Sequence, residues 1–293
     1  KFHYANGFNQ LIKDFSNKDY NSDNWDEINV PGHIQLQGYG TPMYVNQIYP
    51  WSATEQIIPG EIPEHNPIGS YITYFDSSVI KDNTDVYITF KGVESAMALW
   101  VNGTFVGYSE DTFTPSRFNI TSLIEEGNNK IAVNVYRFSS GSWLEDQDFW
   151  RFSGIFRDVE LEMVPHTHLE DIKVLTHLND TYDHAVVEVN PTVIHPVKVI
   201  YTLKYKDEII ASEAKEDSSS LQFELEHPYL WSAEKPHLYT LIIEVMDEEG
   251  LVECISQQVG VREFKIINGI MCINGQRIIF HGVNRHEFSA YTG

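Results

Sequence analysis

Along most of the chain apolar residues recur at every second position, the period of a strand that is buried on one face. The stretch KIAVNVYRF (Lys130 to Phe138) places Ile131, Val133 and Val135 on one side. VYITF (Val86 to Phe90) and SYITYF (Ser70 to Phe75) read as two more strands. ALWVNGTFVGY (Ala98 to Tyr108) reads as two short strands around Asn102-Gly103, a dipeptide that favours positive φ at both central positions of a tight hairpin. Short strands separated by Gly, Asn and Asp predict a β-sandwich. LIEEGN (Leu123 to Asn128) fits either a helical turn ending at Gly127 or a loop.

The pattern restarts near Pro165. KVIYTLKYK (Lys198 to Lys206) sets Val199, Tyr201, Leu203 and Tyr205 against lysines on the other face. Leu221, Phe223 and Leu225 alternate with Gln222, Glu224 and Glu226. LYTLIIEVM (Leu238 to Met246) alternates less cleanly, which predicts cover on both faces. About seven such strands in about 100 residues match an immunoglobulin-like sandwich, though one without the Cys…Trp…Cys spacing of antibody domains. From Glu263 the character changes again. Two Asn-Gly turns, Asn268-Gly269 and Asn274-Gly275, precede the apolar run RIIF (Arg277 to Phe280) and the polar GVNRHE. A buried strand running into a functional loop is expected there, as at the start of a β/α barrel. The expected division is 1–165, 166–262 and 263–293.

Composition narrows the class. Hydrophobic residues make up 42% and aromatics 13%, which supports packed cores. A net charge of −22, from 20 basic and 42 acidic residues, disfavours binding to nucleic acid or to an anionic membrane. No apolar run reaches the roughly 20 residues that span a bilayer. The two cysteines, Cys254 and Cys272, lie in apolar surroundings and read as buried free thiols, which suits a reducing, cytoplasmic compartment. The N-terminus lacks Met and a signal-peptide core, and both ends read as internal to a longer protein.

Chemistry-bearing residues are few. Asn46, in MYVNQIYPW, is by itself a turn residue or a ligand contact, since an amide both donates and accepts. Tyr49 and Trp51 offer apolar faces to a pyranose ring or to a core. Glu145, Asp146 and Asp148 crowd together in LEDQDFWR and need an answering cation, Arg151 or a bound ion, unless they accept from sugar hydroxyls. Neighbours in one loop do not straddle a glycosidic bond at about 5 Å, so they are not assigned as a catalytic pair. His286 in GVNRHEF is a lone histidine or a substrate contact at a barrel mouth. The pair His166 and His168 is expected at the surface, and no histidine triplet has metal-ligand spacing.

The order of these segments is more specific than any one of them. NVPGHIQLQGYGTPMYVNQIYPW, GSYITYF, KGVESAMALWVNGTFVGYSEDTFTPSRFNIT, GSWLEDQDFWRFSGIFRDV, LWSAEKPHLYTL and GQRIIFHGVNRHEF follow one another over the whole chain. The chain thereby resembles the N-terminal portion of the large family 2 glycoside hydrolases of the β-galactosidase type. The resemblance implies an all-β chain: a jelly-roll sugar-binding sandwich, an immunoglobulin-like sandwich, and the first strand of a TIM barrel. It implies that Asn46 and Asp148 reach the galactose site, that Asp148 also ligates sodium, and that His286 contributes to galactose and transition-state binding. It places the acid/base and nucleophile glutamates, and the magnesium ligands, beyond Gly293. On this expectation the chain alone is inactive and its parent is an oligomeric, retaining β-galactosidase. A stand-alone carbohydrate-binding module is the rival of a different class. Glucuronidase and mannosidase relatives share the domain order.

Overall fold

A computed structural model describes residues 1–145, 148–196, 198–285, 289 and 291–292. The chain divides between Val164 and Pro165 into two compact units. Almost all regular structure is antiparallel strand, and the helices are single 3-10 turns.

The first unit is a sandwich. One sheet orders Phe2–Ala5, Ile68–Asp76, Asn128–Tyr136, Ala96–Val101 and Thr104–Ser109. The facing sheet orders Val159–Pro165, Thr84–Phe90 and Ser116–Asn119. Tyr71, Leu99, Val133 and Val135 from the first sheet pack against Val86, Ile88 and Phe90 from the second. This is the sandwich that the alternation predicts. Asn102 and Gly103 both take positive φ, 50° and 85°, so the hairpin turn is of the expected kind. The segment after Leu123 is a loop. A 3-10 turn, Thr121–Leu123, precedes it, and Gly127 is left-handed at φ 84°.

The outer face of the larger sheet is also covered. Phe15, Ile72 and Ala132 form a second cluster with Ile12, Tyr20, Trp25 and Trp100. Asn128–Tyr136 is therefore buried on both faces, not only on the face of Ile131, Val133 and Val135. Lys130, 1% exposed, meets its burial by donating from Nζ to the Phe15 and Asn17 carbonyls, at 2.9 and 2.6 Å. Burial holds its pKa below the ordinary lysine value.

The second unit is built on a sandwich of seven strands in two sheets. His168–Leu178, His184–Ile194 and Leu221–Glu226 make one, and Glu208–Lys215, Lys198–Tyr205, Tyr239–Met246 and Leu251–Val259 the other. Val199, Tyr201, Leu203 and Tyr205 all face its core. Tyr239–Met246 departs from expectation. Tyr239, Leu241, Ile243 and Val245 are buried, while the intervening residues are only half-covered, so one face alone packs in the core. Cys272 is buried, but Cys254 is exposed, because on Leu251–Val259 it pairs with the outward Glu244 while Ile255 packs inward. His166 is exposed, but His168 is mostly covered, with Nδ1 donating to the Pro165 carbonyl at 2.7 Å.

Three short strands, Phe264–Ile267, Ile270–Ile273 and Gln276–Arg277, end this unit. Both Asn-Gly turns take positive φ at both residues. Asn274 donates from Nδ2 to the Trp231 carbonyl at 3.0 Å, which ties the hairpins to the sandwich. The expected buried strand at Arg277 to Phe280 is not formed. The ladder ends at Arg277, with one further bond from the Ile278 amide to Met271, and Ile279 and Phe280 are 68% and 65% exposed. A barrel strand needs a ladder on each edge and cover on both faces. This stretch has one ladder. Among the described residues no helix is long and apolar enough to cross a membrane.

Leu203 is fully buried in the second core. Leu203→Ala should cost about 2–5 kcal/mol. A lowered urea midpoint for the second unit is the expected measurement; a shift within error would show that the core closes over the gap.

Candidate functional site

The site of interest in the first unit rests on a ladder of three residue pairs. Met43–Val45 runs antiparallel to Phe149–Arg151, with Met43 opposite Arg151, Tyr44 opposite Trp150 and Val45 opposite Phe149. The next position beyond Val45 is Asn46, and the next beyond Phe149 is Asp148. The register thus brings these two predicted residues to the same end of the same ladder. Asp148 sits in the left-handed region at φ 55°, a conformation that Asp tolerates better than most residues. The Tyr44 hydroxyl donates to its Oδ1. That hydrogen bond to the carboxylate, aided by partial burial, raises the Tyr44 pKa above its ordinary value. Tyr44 and Trp150 meet edge to face at 5.6 Å.

Beside this ladder lies a cleft of about 340 Å³, lined by Asn46, Tyr49, Trp143, Glu145 and Arg151 among others. Its aromatic wall is a packed group. Tyr49 stacks on Trp51 at 5.3 Å, and both contact Trp143, at 4.5 and 5.0 Å. Trp51 is buried, so it supports the wall rather than facing the opening. Trp143 is fixed by donating from Nε1 to the Glu61 carbonyl at 2.7 Å.

The acidic loop is held by uncharged donors. Glu145 accepts from the Thr112 amide at 3.2 Å and from its hydroxyl at 2.8 Å. Ser140 donates to Glu110 at 2.8 Å, and Ser139 and Ser142 cap each other's backbone. Glu145 therefore fixes the turn that carries Trp143. Arg151 is buried and donates to the Ser142 carbonyl at 3.4 Å. Asp146 and His286 lie outside the described residues. Among the described residues no group of three or more His, Cys, Asp or Glu could hold a metal ion. Asp148, with Oδ1 engaged by Tyr44, keeps Oδ2 as a candidate oxygen ligand.

Sequence reasoning missed Tyr44 and Trp143. Tyr44 was findable, since it lies two positions before Asn46 in the MYVNQIYPW segment already singled out. Trp143 carried no comparable signal.

Beneath the ladder the chain is pinned twice. Gly32 and Ile34 donate to the Ile155 and Ser153 carbonyls, both at 2.8 Å. Gly154, at φ 131°, approaches so closely that a Cβ there would lie 2.8 Å from the Gly32 carbonyl oxygen. Glu94, also buried, accepts from the Phe152 amide at 3.0 Å. His33 stacks between Phe152 and Phe156, at 4.5 and 5.1 Å.

Comparison with known proteins identifies this architecture. Residues 12–165 match the model of the glycosyl hydrolases family 2 sugar binding domain, 167–262 that of glycosyl hydrolases family 2, and 264–293 that of its TIM barrel domain. The chain belongs to glycosyl hydrolase family 2. Among its family 2 relatives, a β-galactosidase of Halalkalibacterium halodurans is 46% identical over all of this chain, which spans 30% of that protein. A β-galactosidase of Clostridium acetobutylicum is also 46% identical, with 34% of its length spanned. Solved structures share the fold. One is a Bacteroides uniformis β-glucuronidase 2, at TM-score 0.74 and 17% identity, covering 100% of this chain and 35% of that one. Another is a β-glycosidase from Bacteroides vulgatus, at TM-score 0.69 and 23% identity, covering 94% and 35%.

Burial lowers the His33 pKa from 6.5 to about 4, and Glu94, at 3.7 Å, is too far to hydrogen-bond and reverse this. The folded chain keeps His33 neutral where the unfolded chain binds a proton. Stability should therefore be unaffected by His33 above about pH 6.5, and fall as the pH drops towards 4, by about 3 kcal/mol over the whole interval. Urea unfolding at pH 7 and pH 4.5 checks this. His33→Gln should flatten the dependence, and an equal fall in that variant would assign it elsewhere.

Proposed function

We propose that this chain is the sugar-binding end of a retaining β-galactosidase that hydrolyses terminal β-D-galactosides such as lactose. The observation that carries the proposal is the ladder register that brings Asn46 and Asp148 to the same end of one ladder, with Asn46 lining an aromatic-walled cleft. An amide and a carboxylate together donate to and accept from adjacent hydroxyls, which is what a pyranose offers. The exposed edge of Tyr49 and the face of Trp143 suit the apolar side of the ring. Family 2 membership and the β-galactosidase names of its relatives support the galactoside over other sugars.

In this reading Asn46, Asp148 and His286 bind and orient the galactosyl unit. Asp148 would also serve as one ligand of a sodium ion, which would supply positive charge beside the sugar hydroxyls. The two glutamates of the double displacement, and the magnesium ligands, come from barrel sequence outside this chain. The parent enzyme is oligomeric and cytoplasmic. Unpaired Cys254 and Cys272 suit the latter.

Four measurements test the proposal. The purified chain should not turn over a chromogenic β-galactoside; activity that persists at constant rate through further purification refutes the assignment of roles. In the complete enzyme, Asp148→Asn should lower kcat/KM for the galactoside about ten- to a hundredfold, as loss of a hydrogen bond to a charged group does. Faster cleavage of a β-glucuronide than of the galactoside would move the enzyme to the branch of its glucuronidase fold relatives. Saturable galactose binding by this chain alone, seen by calorimetry, would favour a stand-alone binding module.

A further inference from the structure

The ladder that carries Asn46 and Asp148 is only three pairs long, and a two-stranded ladder of that length is marginal by itself. Its register matters more than its length suggests. A slip by one residue would move the ends of the two strands, and with them Asn46 and Asp148, past each other. Something must fix the register from outside.

Arg137 is placed to do so. It follows directly on Asn128–Tyr136, the strand buried on both faces, and its own amide donates to the Pro67 carbonyl at 3.0 Å. Its side chain leaves this scaffold and reaches the ladder. One terminal nitrogen, Nη2, donates to the Thr41 carbonyl at 2.8 Å and to the Arg151 carbonyl at 3.0 Å. Thr41 leads into Met43–Val45, and Arg151 closes Phe149–Arg151. The two acceptors thus belong to the two strands, at the end where Met43 faces Arg151. Arg137 is 6% exposed; burial works against its charge, and the buried Glu94 carboxylate nearby favours it. A buried guanidinium whose side-chain hydrogen bonds go to two backbone carbonyls is spending its charge on chain geometry. Both bonds use the N–H groups of Nη2, which the planar guanidinium holds in a fixed direction as the rotating ammonium of lysine does not.

We propose that Arg137 is a positioning residue for sugar binding: it clamps the Thr41 and Arg151 carbonyls, and thereby sets the register that brings Asn46 and Asp148 to the same end of the ladder. This rests on the sugar-site reading of Asn46 and Asp148, but the clamp itself is separately measurable. Hydrogen-exchange mass spectrometry on this chain should show segments 41–46 and 148–152 exchanging about tenfold faster or more in Arg137→Met, with intermediate protection in Arg137→Lys. The strands Ile68–Asp76 and Ala96–Val101 should keep their protection. Unchanged exchange in the ladder, or an equal rise across the whole sheet, would overturn the clamp.

In the complete enzyme, Arg137→Met should act mainly on KM for the galactoside, by about tenfold, and Arg137→Lys should recover part of the loss. In an Asp148→Asn background the same substitution should add little, because it acts through Asp148. A fully additive penalty, or a loss confined to kcat, counts against positioning. If the complete enzyme cleaves no galactoside, the sugar reading fails, while the exchange measurement still decides whether Arg137 fixes the ladder.

Discussion

The first unit depends on one strand, Asn128–Tyr136, being buried on both faces. It is bonded along one edge to Ile68–Asp76 and along the other to Ala96–Val101. One face joins the core between the sheets, and the other lies under the N-terminal segment through Phe15 and Trp25. Polar residues on such a strand must find partners or destabilise the fold. They do find them. Asn134 accepts from Ser70 at 2.7 Å, and Lys130 reaches two carbonyls of the covering segment. Held on four sides, this strand is a fixed reference for whatever leaves its end.

What leaves its end is the site. Arg137, the Ser139–Ser142 caps and the turn bearing Trp143 follow within a few residues. Two carboxylates, Glu110 and Glu145, hold this turn by accepting from Ser140 and Thr112. The residues with the clearest chemistry, Asn46 and Asp148, lie just beyond a short ladder. Functional loops on a rigid scaffold are a common arrangement, and here the scaffold reaches the loops through side-chain-to-backbone hydrogen bonds more than through regular sheet.

Much of this was legible in the sequence. Strand alternation located the strands of both sandwiches, because one face of each packs into a core. The Asn-Gly pairs at 102–103, 268–269 and 274–275 located three hairpins, because that turn demands positive φ. Alternation was less informative where burial is not one-sided. It understated the cover on Asn128–Tyr136, and it promised a buried strand at Arg277 to Phe280 that no second ladder supports. The surroundings of Cys254 suggested burial because local apolarity does not say which face a residue takes. That Asn46 and Asp148 belong to one site was implied by family resemblance and not by local pattern. The contact between Tyr44 and Asp148 joins residues 104 positions apart, and no period reaches that far. The Arg137 clamp was invisible for the same reason: its acceptors are backbone carbonyls, which every residue has.

The terminal hairpins have a consequence for handling the molecule. All four residues of Phe264–Ile267 are exposed, as are Ile270 and Met271, so this small sheet offers apolar side chains and open strand edges together. Such surfaces promote self-association. The net charge of −22 opposes it by keeping copies apart. Salt weakens that repulsion, shortening its range to about 10 Å at 0.1 M, and leaves the apolar attraction in place. The chain therefore has a colloidal balance set by ionic strength: dispersed in dilute buffer, and increasingly adhesive through its last hairpins as salt is added.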